Sequence, residues 1–485
     1  MIRNFRASIP ATTLAFLLAA ALAPRASASG FQLRDQSGSG QGNAYAGISA
    51  GGSDVSSMFF NPAAMIRFDG NHLQFGLTEI MPDSRMTGGS ASQPGVSALN
   101  IPSSTISGAT STGNVASSAT LPTIYAMWSV DPDLKLGLSV NVPFGLTTEY
   151  DPSWAGRYHG IKSHLQTLDI TPAIAYRLAP KFSVGGAFVA RRASAQLSQA
   201  VDGGYTAELA VVSEGLSNSL GGQPILTSGA ADADAYVSGH AWAYGYKLGM
   251  LYEPNERLHF GLGYQSAIRE TIKGDASFST PSPVPAVNAL NAANPGAGTK
   301  IQNIFNALGN ATRNCSASAV LDLPATWSLG AIWDLSGTFS LGLEVDRTIW
   351  SSFHELRVKF ATPGVADSVT EENWKDSTFV ALGGTCHPQG PWTYRLGLAI
   401  DKTPVLDSTR TPRIPDADRT WASLGVSYQF TPAFGMDAGY THLFCKDSTV
   451  NLSGNGAPDD EHPGNLTGTY KNSIDVLALQ ARYKF

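Results

Sequence analysis

The chain has 485 residues and a formal net charge of −6, and only 14% of its residues are Asp, Glu, Lys or Arg. Glycine is abundant at 50 residues and aromatics reach 9%, yet hydrophobic residues stay at 43%. Low charge without high hydropathy excludes a helical membrane protein and an acidic disordered chain, and the negative balance argues against a nucleic-acid partner.

At the start of the chain, Arg3 and Arg6 precede the apolar run Leu14–Ala23, which is followed by Ala26-Ser27-Ala28. A basic start, a short apolar run and an A-x-A site form a secretory signal peptide, so residues 1–28 are expected to be removed after Ala28. The run is about half the ~20 residues that a spanning helix needs. No later stretch is long and apolar enough, so any membrane crossing falls to strands.

Residues 29–70 do not alternate. They contain Phe31, a Gly/Ser-rich stretch Ser37–Gly52, then Asp54–Phe60 and Asn61-Pro62-Ala63. The segment is too poor in apolar side chains to build a core of its own. Inside a barrel it can pack through glycine backbone and plug the lumen.

From residue 71 the pattern changes to period two. A first strand is expected over Asn71–Met86 and a third over Lys135–Tyr150. The third carries Pro143 and Gly145 in its middle. Proline cannot donate to the ladder and glycine weakens pairing, so a gap or a simple bulge is expected there. Alternation is plain in Ala241–Tyr252, Leu258–Gln265, Phe339–Asp346, Trp392–Asp401 and Trp421–Phe430. In the last of these Leu424, Val426, Tyr428 and Phe430 oppose Ser423, Gly425, Ser427 and Gln429. The chain closes on Ile474–Phe485, whose apolar face ends in a terminal aromatic.

Strands of this length exceed the ~5–6 residues usual in soluble sandwiches and match tilted membrane strands. The connections alternate in length as well. Tight turns fall at 131–133, 179–181, 254–256, 336–337, 388–391 and 431–433, and long polar loops at 86–118, 201–236, 280–314, 402–418 and 446–470. Short turns on one side and long loops on the other belong to an outer-membrane barrel. The expected fold is therefore all-β, a transmembrane antiparallel β-barrel of about 14 strands over residues 71–485, with residues 29–70 as an N-terminal hatch plugging the lumen.

Two long loops are unusually apolar. One carries Leu209, Val211, Val212, Leu216 and Leu220; the other spaces Ile301, Ile304, Phe305 and Leu308 as on one helical face. Such a face needs cover, either from a hydrophobic ligand in a groove or from packing between loops.

Other motifs are set aside. Gly47-Ile48-Ser49-Ala50-Gly51 fits G-x-S-x-G but lacks the strand–turn–helix setting of a nucleophile elbow. His159 and His164 are five apart and do not make a metal pair. Cys315, Cys386 and Cys445 show no CxxC spacing, so no metal site or cofactor is expected, and a single disulfide or three thiols both stay open. Arg157, Arg191, Arg192, Arg347 and Arg357 are candidate partners for a ligand carboxylate, or ordinary lumen and rim charges. Gln196 and Gln199 are neutral where an anion site would want a cation, which keeps neutral hydrocarbons open as substrates.

Taken in order, Gly30-Phe31-Gln32-Leu33, Gly42–Gly47, Asn61-Pro62-Ala63, Val142-Pro143-Phe144-Gly145-Leu146, Thr148-Glu149-Tyr150, Ala175-Tyr176-Arg177-Leu178 and Pro415-Asp416-Ala417-Asp418-Arg419 resemble the FadL-type long-chain fatty-acid transporters of outer membranes. That family also takes in toluene/xylene-type hydrocarbon transporters, and the resemblance spans essentially the whole mature chain. It implies a fourteen-stranded barrel closed by a hatch that includes Phe31, Asn61, Pro62 and Ala63. Hydrophobic molecules would pass from an outer groove (Leu209, Val212, Ile301, Ile304, Phe305, Leu308) to an interior pocket, then sideways into the membrane at the kinked strand of Pro143 and Gly145.

The expected function is passive uptake of hydrophobic molecules, foremost long-chain fatty acids, with aromatic or alkane hydrocarbons as the alternative. No P-loop is present to couple transport to a nucleotide. A barrel enzyme such as a lipase or protease would need a rim Ser/His or Asp/His constellation, and none is found; an adhesin or open porin is the remaining rival. The expected partners are the substrate, outer-membrane lipid and the barrel assembly machinery, with no nucleic acid, and the expected state is a monomer.

Overall fold

The computed structural model describes residues 30–95, 102–213, 228–229, 231–279, 313–362, 366–454 and 463–485, with isolated positions between 296 and 306. The expected signal peptide, and Ile301, Ile304, Phe305 and Leu308, lie outside the described residues.

Fourteen antiparallel crossings close into one barrel. They are β1 (His72–Gln93), β2 (Ala119–Ser129), β3 (Leu134–Asn141 and Gly145–Glu149), β4 (Lys162–Ala179), β5 (Phe182–Asp202), β6 (Asp232–Asn255) and β7 (Leu258–Gln265 and Ile268–Phe278). The second half comprises β8 (Cys315–Leu323 and Thr326–Asp334), β9 (Phe339–Thr348 and Glu355–Phe360), β10 (Ser368–Glu371 and Ser377–Cys386), β11 (Trp392–Asp401), β12 (Arg419–Gln429), β13 (Phe434–Cys445 and Ser448–Leu452) and β14 (Asn465–Lys484). Each pairs with its chain neighbours, and β1 closes on β14 from His72↔Lys484 to Ser92↔Asn465. The six tight turns are the connections at one end of the barrel.

Alternation decides which way each side chain points. Leu73, Phe75 and Leu77 on β1, Trp242, Tyr244 and Tyr246 on β6, and Leu396, Leu398 and Ile400 on β11 are all exposed on the outer surface. Such an apolar belt is stable only against lipid. Beyond it, on the side of the long loops, the strands run farther than the sequence pattern suggests. β1 continues to Gln93 rather than stopping near Met86, β6 already begins at Asp232, and β13 and β14 pair at Ser448–Leu452 within the expected loop 446–470. Above the belt neither face meets lipid, so the ladder persists on backbone hydrogen bonds without the apolar alternation that reveals it. Residues Gly203–Ser213, expected as loop, form a helix.

Residues 30–70 lie inside this wall as a short helix α1 (Gly38–Gly42) and three 3-10 turns, Ile48–Ala50, Val55–Phe59 and Pro62–Arg67. Three of the four begin on a side-chain cap: Ser37 accepts from Gly40 N, Asp54 from Ser56 N, and Asn61 from Ala63 N. Proline at the first position of the last turn fits its missing donor.

The segment meets the wall through backbone. A Cβ on Gly249 would overlap Asn61 Oδ1, one on Gly261 the Ser49 carbonyl, and one on Gly397 the Asn43 carbonyl. These glycines occupy the inward positions between Leu248 and Met250, Phe260 and Leu262, and Leu396 and Leu398. Polar contacts fix the register of the segment. Lys247 Nζ donates to Phe59 O at 2.8 Å, Gln480 Nε2 to Asp54 Oδ2 at 2.9 Å, and Arg34 pairs with Asp346.

Gly397→Val is therefore expected to destabilise the protein by about 1–3 kcal/mol, the usual cost of overpacking. Gly337, in a turn with nothing within 4 Å of its would-be Cβ, is the control. Urea titration of both variants checks this, and an equal, small effect would contradict it.

Candidate functional site

The wall is interrupted where Pro143 lacks a donor. β3 stops at Asn141 and resumes at Gly145. Its first piece pairs with both β2 and β4, but its second pairs with β4 alone, from Gly145↔Gln166 to Glu149↔Lys162. Residues 119–123 of β2 thus pair with β1 and have no ladder partner on the β3 side among the described residues. A single bridge, Ala116↔Thr148, closes the opening above. The ladder is open beside Pro143 and Gly145, between residues 119–123 of β2 and the second piece of β3, and this opening is the window.

The backbone groups freed at the break turn inward to the N-terminal segment. Leu33 N donates to Pro143 O at 2.8 Å and Gly145 N to Phe31 O at 3.1 Å. Gln36 Nε2 donates to Val142 O at 2.8 Å. Residues 31–33 act as a short strand laid across the window.

Two cavities adjoin here. An open chamber of about 370 Å³ lies beside the window, lined by Leu33, Ile80, Leu121, Leu146, Trp421 and Leu443 among others. A second, of about 80 Å³, lies toward the long loops and is bounded by Leu165, Leu197, Val237, Ile272, Leu321 and Leu356. Phe31 belongs to both linings. Its ring is held edge-on against Trp350 at 4.9 Å and packs near Trp374, Phe144 and Phe353 at 5.5, 6.1 and 6.1 Å between centroids. The start of the segment is clamped: Gly30 N donates to Asp416 Oδ2 at 3.2 Å, and Arg419 Nη2 donates to both Gly30 O and Asp416 Oδ1.

Asn61, Pro62 and Ala63 are fully buried far from the window. Asn61 Nδ2 donates to Ser49 O at 2.7 Å and to Met250 O at 2.9 Å, which ties the segment to β6. Ser49 of the G-x-S-x-G stretch is buried and bonded to Glu344. On the loop side, Val212 is half-buried on the helix Gly203–Ser213, while the side chain of Leu209 and all four positions from Ile301 to Leu308 lie outside the described residues. The three cysteines are unpaired.

The basic candidates fare differently. Arg157 pairs with Asp232, Arg191 with Asp169, Arg347 with Asp376 and Arg357 with Glu355, and Arg192 is exposed. None of the five lines either cavity. The cation that does so in the outer cavity is Arg413, from the loop 402–418. Its Nη2 donates to Gln199 Oε1 at 2.7 Å, so the neutral glutamine supports a cation delivered from another loop. Glu372 shares the lining; neither residue stood out in the sequence. The one available signal was the position of Arg413 just ahead of the Pro415–Arg419 motif.

Comparison with known proteins agrees with this architecture. The family described as "Outer membrane protein transport protein (OMPP1/FadL/TodX)" matches residues 19–485. The long-chain fatty acid transport protein of Escherichia coli K12 is 29% identical over 437 residues, covering 89% of this chain and 91% of that protein. The 47 kDa outer membrane protein of Pasteurella multocida is 30% identical, with 97% and 98% covered. A crystal structure of a Pseudomonas aeruginosa FadL homologue matches with a TM-score of 0.79 at 28% identity, over 94% of this chain and 100% of that one. The Pseudomonas putida toluene transporter TodX, at 16% identity and a TM-score of 0.61 over 92% and 99%, shares the fold.

Asp35, beside Arg34 in the buried segment, has its carboxyl pushed up to about 6 by burial, against the pull of Arg419 and Arg34. A carboxyl with a raised pKa binds more protons folded than unfolded, so its contribution falls as pH rises from about 4 to 6, and the cost is complete above 6. Asp35→Asn is expected to be more stable than the parent at pH 7.5, by roughly 2–3 kcal/mol, and equal to it near pH 4. Thermal unfolding at the two pH values checks this; a difference independent of pH would contradict it.

Proposed function

Since the chain belongs to the outer membrane protein transport protein family (OMPP1/FadL/TodX), we propose that it carries hydrophobic molecules, foremost long-chain fatty acids, passively across the outer membrane. The protein resides in the outer membrane, and its family is one of transporters. The observation that carries the reading is the pair of adjoining apolar cavities that ends at the window between β2 and β3.

The proposed route has three stages. A ligand gathered at the outer loops, with Leu209, Val212, Ile301, Ile304, Phe305 and Leu308 as the groove, enters the outer cavity. It passes Phe31 into the chamber and leaves through the window at Pro143 and Gly145 into the bilayer. Residues 29–70 serve as the hatch that keeps this route from becoming a water-filled pore, with Asn61, Pro62 and Ala63 anchoring it to β6. The linings of both cavities are mostly apolar, which lets a lipid-like molecule move down its gradient with little return to water. The chain catalyses no reaction in this reading and needs no cofactor.

Three further parts belong to the same reading. Residues 1–28 direct export and are removed, the outward-facing Tyr483 and Phe485 present the terminal signal to the barrel assembly machinery, and the barrel works as a monomer among outer-membrane lipids.

Fatty acids come first because the relatives at 28–30% identity include several named long-chain fatty acid transport proteins. Aromatic or alkane hydrocarbons are the second reading, favoured by linings that are mostly apolar. In a host lacking its own transporter, this chain is expected to restore growth on oleate; restoration on toluene or alkanes alone would favour the second reading. Replacing Pro143 and Gly145 with valine is expected to abolish uptake while the barrel still shows heat-modifiable mobility in gels. Undiminished uptake in that variant would rule out the lateral exit.

A further inference from the structure

The outer cavity has one polar pole. Glu372, from the irregular turn between the two pieces of β10, and Arg413, from the loop 402–418, face it together while being 2% and 8% exposed. Both lie outward of the lipid-facing belt, which on β10 is marked by Leu382. Each is held on one side only. Trp374 Nε1 donates to Glu372 Oε2 at 2.7 Å, and no described residue donates to Oε1. Arg413 Nη1 donates to Lys162 O, Ser163 Oγ and Ser198 O, and Nη2 to Gln199 Oε1, while Nε makes no hydrogen bond among the described residues. The two groups sense each other's charge but do not meet as an ion pair.

A head group entering this pole meets a cation and a carboxyl at once. A carboxylate gains a charge-assisted hydrogen bond from Arg413. Beside Glu372, however, two ionised carboxylates repel, and a shared site holds both only when one of them keeps a proton. A hydroxyl has no such conflict, because it donates to one group and accepts from the other.

We infer that Glu372 sets head-group specificity in the outer cavity: a fatty acid binds as a proton-sharing pair with the Glu372 carboxyl, and an alkyl alcohol binds without that requirement. The inference rests on the cavity being the ligand site proposed above. It makes Glu372 a specificity-determining residue, and its consequence is loss of acid binding once Glu372 ionises. Burial pushes the Glu372 carboxyl up to about 8, against the Trp374 hydrogen bond and the charge of Arg413, so the proton is in place at neutral pH. His164 on β4, bonded through Nδ1 to Thr147 Oγ1 at 2.9 Å, is the third titratable group lining the cavity among the described residues.

The test uses the full mature protein in a non-ionic detergent, with decanoate and 1-decanol as probes followed by tryptophan fluorescence at pH 7.0 and 9.0. Decanoate is ionised throughout this window. Its Kd is expected to rise about tenfold at pH 9.0, because one unit above the pKa removes about tenfold of the neutral carboxyl. The Kd of 1-decanol should not change. E372Q should bind decanoate equally at both pH values, E372D should restore the shift, and the shift should survive H164Q whatever that variant does to affinity at pH 7.0. A pH-independent decanoate Kd in the parent protein, or a shift that persists in E372Q, would overturn the inference and leave the cavity reading standing. Failure of both probes to bind at either pH would overturn both.

Discussion

The rest of the structure depends on one contact: backbone of residues 38–63 lying directly on glycines of the barrel wall. Gly42 Cα lies 2.6 Å from where a Cβ on Gly425 would stand, and Gly249, Gly261 and Gly397 leave even less room. A fourteen-stranded wall encloses more space than its own inward side chains fill. Residues 38–63 come close enough to touch the wall only because the facing residues have no side chains. This also explains the low charge and neutral hydropathy of the chain, since each strand offers lipid an apolar face and the interior a face of glycine and small polar groups.

Ionic and polar contacts then select one seating of the segment. Arg34 with Asp346, Lys247 with Phe59 O, and Asp54 with Gln480 are buried pairings between segment and wall. A displaced segment would leave such groups unpaired in a low-dielectric interior, which is strongly destabilising. The same seating brings residues 31–33 to the broken third strand, where they take up the hydrogen bonds that Pro143 and Gly145 leave open. Window, aromatic cluster and both cavities are therefore consequences of how one end of the segment is held, with Asp416 and Arg419 as the clamp.

Much of this was legible in the sequence because lipid imposes a strict period. Leu396, Leu398 and Ile400 against Gly397 announce a membrane strand, the Pro/Gly turns announce its ends, and Pro143 announces the break. Where lipid stops, so does the signal: the extension of β1 to Gln93 and the pairing of Ser448–Leu452 with β14 leave no alternation to read. The cavity chemistry was hidden for another reason. Arg413, Glu372 and Gln199 come from three separate stretches, and Gln199 looked like the absence of a cation because its partner lies 214 residues away. Residues read singly, such as Arg191 and Arg357, turned out to be matched by acids close in the fold.

Ion conductance across planar bilayers tests the account most directly. The intact protein should show no stable conductance, and a barrel lacking residues 30–70 should open a steady, ion-conducting pore while keeping its β-sheet circular dichroism. A truncated barrel that folds but stays closed would contradict the account, because something other than this segment would then be filling the lumen.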